Sequence, residues 1–89
     1  MANKSKVYVD VLVSFDRAGN MTPRVIKWET GEKYPVDRVY NVSPAPALRA
    51  GGQGDRYDIA VAGKEAYLFF ERFPTYSGRK TGRWFVERK

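Results

Sequence analysis

Apolar and polar side chains alternate along most of the chain, which is the pattern of half-buried β-strands. Valine fills every second position from Val7 to Val13, and Phe15 continues the same face. The four residues that follow, Asp16 to Gly19, are typical of a hairpin turn, because glycine takes a positive φ without steric strain. These features predict a first β-hairpin whose valine face is turned toward a core.

Pairing across two turns predicts the first three strands. Closing the first hairpin sets Val9 opposite Ile26, so that apolar residues share one face. A second turn at Glu29–Gly31 sets Ile26 opposite Tyr34. Pro35 lacks a backbone donor, which predicts that the third strand lies at an edge or bulges there.

The second half of the chain predicts a meander of three further strands. Gly63 and Lys64 suit a two-residue turn, which pairs Ile59 with Leu68. The last strand then pairs Val86 with Leu68. Both registers give the same predicted core face: Tyr57, Ile59, Val61, Ala66, Leu68, Phe70, Trp84 and Val86.

The opposite face of this meander mixes charged and aromatic residues. The predicted registers set Glu71 between Arg56 and Arg83. Three aromatic residues share this face: Tyr67, Phe69 and Phe85. Exposed, they would form a base-stacking platform of the kind used by RNA-binding sheets. Because large apolar patches are uncommon on monomers, coverage by the first three strands or a helix, or a protein interface, is favoured.

Residues 43–51, between the two halves, predict a helix of one to two turns. Ser43 suits its cap, Pro44 its first turn and Gly51 the position just past its end, with Leu48 packing it onto the core. Residues 1–89 are thus predicted to form one all-β domain. Its architecture is a small six-stranded bent barrel, SH3-like or OB-like, with one short helix between strands 3 and 4.

The glycines of the segment LRAGGQGDRY, residues 48–57, have two interpretations. Phosphate-binding glycines precede a helix, so that the anion meets free N–H groups at the positive end of the helix dipole. Here the glycines follow the predicted helix, and the segment lacks the spacing of known phosphate loops. The favoured interpretation is a helix stop and an entry turn into the fourth strand, with Arg49 and Arg56 still able to reach an anion.

Composition narrows the chemistry. The 89 residues include no cysteine and no histidine, which removes thiolate nucleophiles, the usual acid–base group at neutral pH and the commonest zinc ligand. Catalysis is the least favoured class, and no cofactor is predicted. Asp10 interrupts the first apolar run, which is far shorter than the roughly 20 residues a membrane helix needs, so a cytoplasmic protein without a membrane partner is expected.

The net charge of +6 is concentrated near the carboxyl end, where residues 72–89 carry six basic side chains and one acidic one. Such asymmetry is typical of proteins with a polyanionic partner, although a solvated surface is the alternative. The connection PTYSGRKTGR, residues 74–83, is longer than a hairpin needs and combines cations with Tyr76. It predicts either a basic binding loop or a solvated hairpin tip.

Four segments resemble the recurring blocks of a family of small uncharacterised bacterial proteins: IKWETGEKYPVDRV, LRAGGQGDRY, YLFFE and RWFVER. In that family a tryptophan–turn–tyrosine hairpin is followed by an Ala-Gly-Gly-x-Gly segment, an aromatic strand and a terminal Trp-Phe-Val-Glu. The blocks span most of the chain. The family has no assigned activity, so the resemblance implies a small bacterial domain and no catalytic residues.

The sequence favours non-enzymatic binding of nucleic acid or another polyanion, mostly through phosphate contacts. The candidate residues are Arg79, Lys80 and Arg83 for charge, Arg49 and Arg56 at second rank, and Tyr76 for stacking. The alternative is a protein-interaction module that presents the edge strand around Pro35 or the outer aromatic residues. The sequence leaves the oligomeric state open.

Overall fold

The computed structural model describes residues 6–46, 53–77 and 80–87. These residues form a closed barrel of six antiparallel strands, in which each strand pairs with the next and the last pairs with the first. The strands are β1 (Lys6–Phe15), β2 (Met21–Lys27), β3 (Lys33–Pro46), β4 (Gln53–Val61), β5 (Lys64–Ser77) and β6 (Lys80–Glu87). The prediction of an all-β, six-stranded barrel is confirmed.

The described residues contain no helix. The prediction of a helix that begins at Ser43 is therefore wrong for its first residues. Ser43 and Pro44 lie in β3, opposite Arg56 and Asp55 of β4. Pro44 and Pro46 fall at alternate positions, so their backbone nitrogens face the same side, and β3 has a paired strand on only one side there. Pairing with β4 therefore overrides the capping pattern. Residues 47–51 of the expected helix lie outside the described residues.

The first hairpin has the predicted turn but a different register. The N–H of Gly19 donates to the carbonyl of Asp16 at 3.0 Å, and Gly19 has a φ of +91°. Ile26 lies opposite Val11 instead of Val9, after a bulge farther along the hairpin. The pairing at Ile26 is shifted by two residues from the predicted register. Because side chains alternate with a period of two, the valines keep the predicted face, and all four pack against the core.

The Asp16 carboxylate organises this turn. It accepts hydrogen bonds from the backbone N–H groups of Ala18 and Asn20, both at 2.9 Å, and from the Asn20 side chain at 3.0 Å. These bonds, chiefly that from the Asn20 side chain, lower the pKa of Asp16 below its ordinary value of 3.8.

The stabilisation by Asp16 is expected to depend on pH. Since the folded-state pKa is lowered, the contribution is present above pH 3.8 and is lost as the pH falls through the lower folded-state pKa. Thermal unfolding of Asp16→Asn should therefore show a lower Tm than the parent at pH 6, with the gap closing in strong acid. A gap that does not change with pH would mean that the charge of Asp16 plays no part.

The second hairpin matches its prediction. Ile26 pairs with Tyr34, and the N–H of Gly31, which has a φ of +97°, donates to the carbonyl of Trp28 at 2.8 Å. Pro35 forms the last pair before β2 and β3 separate. The proline predicted at an edge thus marks the point where this pairing ends.

The turn between β4 and β5 lies one residue earlier than predicted. Ala62 and Gly63 both have positive φ, at 52° and 77°, as in a type I′ turn. This turn pairs Ile59 with Ala66 instead of Leu68. The register moves by two residues, so every side chain of β4 keeps its predicted face but gains a different neighbour.

Replacing Ala62 with asparagine is expected to stabilise the protein. Alanine in the left-handed region is strained, whereas asparagine adopts that region readily, so the free energy of unfolding should rise by up to about 1 kcal/mol. Urea denaturation measures the change. The control is Ala18→Asn, in a turn where the alanine has no positive φ, and its effect should stay within about 0.5 kcal/mol. Equal effects at the two positions would contradict the strain at Ala62.

The strand alignment of β5 and β6 is confirmed, but the long connection between them is not. Phe70 pairs with Trp84, as predicted. β5 continues to Ser77 and β6 begins at Lys80, so the connection predicted at residues 74–83 shrinks to two residues, 78 and 79, which lie outside the described residues. A register shift in β5 absorbs the additional length, as bulges do.

The core lies where the predicted face placed it. Leu68 and Ile59, at 0% and 1% exposure, form its centre. The other buried members are Val9, Ile26, Tyr57, Trp84 and Val86. Val61, Ala66 and Phe70 pack against them, so all eight predicted core residues contribute to the interior.

Two strands change partner along their length. β1 pairs with β6 up to Val9 and with β2 from Asp10 onward. β3 pairs with β2 as far as Pro35 and with β4 from Val36. The β1–β2 hairpin therefore diverges from the remaining strands toward its turn, and a cleft opens at that end of the barrel.

Candidate nucleic-acid interface

Aromatic rings from three adjacent strands lie together on the outside of the barrel. We call this set the outer aromatic face: Tyr8 of β1, Phe85 of β6, and Tyr67 and Phe69 of β5. Phe69 and Phe85 are stacked, with centroids 4.9 Å apart and planes 8° apart. Tyr8 meets Phe85 edge-on at 5.6 Å. The contacts follow from register, because Phe85 is opposite Phe69 on one side and Tyr8 on the other.

The rings of this face differ in exposure. Phe85, in the middle of the row, is buried at 6%, whereas Tyr8 remains 38% exposed. Tyr67 and Phe69 are half-buried. The expectation that the first strands cover the cluster is met for Phe85, since its neighbour Tyr8 belongs to β1, but Tyr8 itself presents a ring to solvent.

Each of three cations lies over a ring of the outer aromatic face. The Lys6 Nζ is 4.5 Å from the centroid of Phe85. The guanidinium carbon Cζ of Arg83 is 4.2 Å from the centroid of Tyr8. Arg56 Cζ is 4.7 Å from the centroid of Tyr67. These are cation–π distances, so charge and stacking surface are held side by side.

Glu71 fixes the two groups at the exposed end of the row. Its Oε1 accepts a hydrogen bond from the Tyr8 hydroxyl at 3.1 Å and another from Arg83 Nε at 3.3 Å. The Glu71 side chain is 15% exposed and that of Arg83 is 55% exposed. Tyr8 is therefore held by its ring on one side and by its hydroxyl on the other, while its neighbour Arg83 keeps most of its surface in water.

Arg56 does not share Glu71 with Arg83, contrary to the predicted row. Gly54 lies opposite Glu71 instead, because the β4–β5 turn comes one residue early. Arg56 Nε is 2.9 Å from Asp58 Oδ1, two residues along the same strand, and both atoms are shielded from water. The pairing of Glu71 with Arg83 is confirmed.

The described cations of this face do not outnumber its carboxylates. The outward side of these strands carries the cations Lys6, Arg56 and Arg83 and the carboxylates Asp10, Asp58, Glu65, Glu71 and Glu87. Two of the cations form ion pairs with carboxylates of the same face. The chemistry that this face offers is therefore ring surface and guanidinium donors more than net positive charge.

A groove adjoins the face on the β1 side. It encloses about 680 Å³ and runs from Tyr8 and Arg83 over Asp10 to Lys27 and the Glu29–Gly31 turn. Its walls combine an exposed tyrosine ring with two cations and two carboxylates. A flexible polar chain that carries planar groups would fit this arrangement, with rings against Tyr8 and anionic links against Arg83 and Lys27.

The structure brings together only part of the predicted site. Arg56 and Arg83 lie on the same outer surface, on β4 and β6. The backbones of Tyr76 and Lys80 belong to β5 and β6, but the structure does not describe their side chains. Arg49 and Arg79 lie wholly outside the described residues. These four stay predictions.

Sequence reasoning missed Lys6 and Tyr8. The alternation of β1 already placed both opposite its valine face. What the pattern did not give was the closure of the barrel, which sets β1 beside β6 and brings Tyr8 against Phe85. The sequence therefore showed the residue types of this site but not which strand would lie beside β1.

Among residues 6–46, 53–77 and 80–87, no group of three or more acidic side chains is placed to hold a metal ion. The same part of the chain contains no helix long and apolar enough to cross a membrane.

The chain matches no family model, no curated protein and no solved structure. Fold and site define it as a small closed antiparallel β-barrel with aromatic and cationic side chains on its outer surface. Its function has to be inferred from that geometry.

Proposed function

We propose that this protein binds single-stranded nucleic acid, without catalysis, on the outer aromatic face and its adjoining groove. The observation that carries the proposal is the setting of Tyr8. Its ring is exposed, packs edge-on against Phe85, lies under the Arg83 guanidinium and is tied to Glu71 by its hydroxyl. A base that stacks on this ring meets a preorganised partner, so little side-chain entropy is lost on binding.

Single strands suit this face better than duplexes. Stacking on an aromatic side chain requires a free base face, which a duplex hides between its base pairs. The lack of excess positive charge among the described residues of this face points the same way, since duplex binding without sequence preference depends on an excess of cations against the phosphates. Arg83 and Lys27 supply phosphate contacts along the groove.

The predicted basic residues near the carboxyl end extend the proposal. Lys80 belongs to the same strand as Arg83, and Arg79 precedes it, so both would add phosphate contacts beyond the groove. Tyr76 would add a second ring. We place the protein in the cytoplasm, where such a ligand is found.

SH3-like and OB-like barrels are the proposed architectural class. OB barrels bind oligonucleotides on an outer strand face, which is the use proposed for β1, β6 and β5. The likeness lies in size and in the barrel architecture. The order of strands differs, because the OB fold is a five-stranded Greek key and this barrel is a sequential six-stranded meander.

Fluorescence anisotropy with a labelled pyrimidine oligonucleotide tests the proposal. Single-stranded DNA or RNA should bind saturably at low salt, a duplex of equal length should bind more weakly, and added salt should reduce the affinity of both. Amide chemical-shift changes should map to β1, β5 and β6. Absence of binding at low salt, or a preference for the duplex, would overturn the proposal.

The alternative of a protein-interaction module gains less support. The open side of β3 carries two bulges, between Val36 and Arg38 and between Val39 and Asn41, followed by Pro44. Bulges and prolines are devices that discourage the addition of another strand. Tyr40, at 51% exposure, is the aromatic residue that this edge offers to a partner. Light scattering at high concentration tests the alternative, which requires a dimer or larger assembly if the partner is a second copy.

A further inference from the structure

The open end of the barrel leaves inward-facing apolar side chains uncovered. Val42 lies opposite the buried Tyr57 and so points inward, yet it is 49% exposed. Phe15 lies opposite Met21, which packs against the core, yet it is 68% exposed. Both residues sit where the β1–β2 hairpin diverges from β3. Within residues 6–46, 53–77 and 80–87, this interior surface is thus left accessible to a ligand.

This surface lines a cleft of about 860 Å³. Its floor is formed by three rings in contact. Tyr57 and Trp84 have centroids 5.3 Å apart, and Phe70 and Trp84 have centroids 4.9 Å apart, with planes tilted by about 50° in each pair. Val13 and Met21 form part of the wall. A concave site of this size at the mouth of a barrel, with aromatic rings in its floor, is typical of small-molecule binding.

The charged groups of the cleft cancel each other. Asp55 Oδ2 is 2.9 Å from Arg72 Nη2, and these two residues are the described lining residues with ionised side chains. Tyr57 donates a hydrogen bond to the carbonyl of Met21 at 3.4 Å. Burial raises the pKa of Tyr57, so its phenol stays neutral at physiological pH. A charged ligand would find no unneutralised partner on this lining, whereas an uncharged one loses little hydration.

We propose that this cleft binds a small uncharged aromatic molecule, of one or two fused rings, against Trp84 and Phe70. Offset or edge-to-face contacts with tilted rings favour a planar ligand over an aliphatic chain. The Asp55–Arg72 pair at the rim supplies one acceptor and further guanidinium donors, which suit a hydroxyl or ring N–H on the ligand. The lining shares no residue with the outer aromatic face and shares Trp84 with its adjoining groove, so variants at the other lining residues test this site separately from the nucleic-acid proposal.

The test is a titration of the isotope-labelled protein with indole, followed by amide chemical shifts. Saturable shifts are expected at Val13, Val42, Gly82 and Trp84, with a Kd on the order of 1 mM or lower, as befits so few ligand atoms. Indole-3-acetate and tryptamine, which add a negative and a positive charge, should each bind about tenfold more weakly. Shifts that do not saturate, that map to Tyr8 and Lys27 of the groove, or that are equally strong with the charged analogues would overturn the proposal.

Two variants locate the site. Val42→Trp fills the cleft and should abolish the indole shifts, whereas Leu12→Trp adds the same group at a 65%-exposed position outside the lining and should leave them unchanged. If Val42→Trp does not fold, Phe15→Glu serves instead, because an exposed rim position tolerates a charge. It should weaken indole binding several-fold. Unchanged binding in a folded cleft variant would refute the site.

Discussion

Replacing Tyr8 with alanine is expected to weaken the binding of single-stranded oligonucleotide by about fivefold to 150-fold. Stacking of one base on an aromatic side chain contributes about 1–3 kcal/mol by alanine substitution, which corresponds to that range. Tyr8 is the most exposed ring of the outer aromatic face. Its removal also releases Glu71 from one hydrogen bond and leaves the ion pair between Glu71 and Arg83 in place.

The matched control for this prediction is Tyr40→Ala. Tyr40 is 51% exposed and has the Arg38 guanidinium 5.8 Å from its ring, so it offers a similar pair of groups on β3. It lies outside the outer aromatic face and the groove, and its loss should leave the affinity within about twofold of the parent. Equal losses at Tyr8 and Tyr40 would show that binding has no defined face. Circular dichroism confirms that both variants remain folded.

Replacing Gly54 with alanine is expected to cost about 3 kcal/mol of folding free energy or more, at the upper end of overpacking effects. Gly54 is buried in β4 opposite Glu71. A Cβ at this position would collide with the carbonyl oxygen of Phe70 and would lie 3.4 Å from the Cα of Glu71. Both obstacles are backbone, which cannot move aside without separating β4 from β5. Such a loss is a large share of the roughly 5–15 kcal/mol typical of a domain.

Urea denaturation measures this effect against a control in the same strand. Ala60→Gly removes one methyl group where Gly54→Ala adds one, and the expected cost is about 0.5–1 kcal/mol from the backbone entropy of glycine. A Gly54→Ala variant as stable as the parent would contradict the close approach of the two strands. The result also bears on the glycine-rich segment, because it assigns Gly54 to strand packing and not to contact with a phosphate.

The faces of the strands were more predictable than their registers. A side chain's face depends on alternation, which is local and has a period of two. The β4–β5 prediction placed the turn at Gly63 and Lys64, whereas Ala62 and Gly63 form it. The resulting shift of two residues left the core face intact but exchanged the partner of every residue. Arg56 consequently forms an ion pair with Asp58 instead of Glu71.

The candidate site was predictable in part for the same reason. The outward position of Arg83 beside Glu71 followed from a register that the structure confirms. Lys6 and Tyr8 could not be recognised as site residues, because no local feature of β1 indicates that β6 is its neighbour. The expected helix failed at Ser43 because capping residues state only a local preference, which pairing with β4 outweighs.

The sequence by itself determined the number of strands, the residues that form the core and the outward side of β4, β5 and β6. These properties follow from alternation and from glycines at turns, which act within a few residues. Only the tertiary structure decided that β1 closes on β6, that Tyr8 joins Phe85 and Arg83, and that the barrel opens near Val42. Closure and divergence depend on which distant strands meet, and the free energy that selects them comes from long-range packing, which no short stretch of the chain contains.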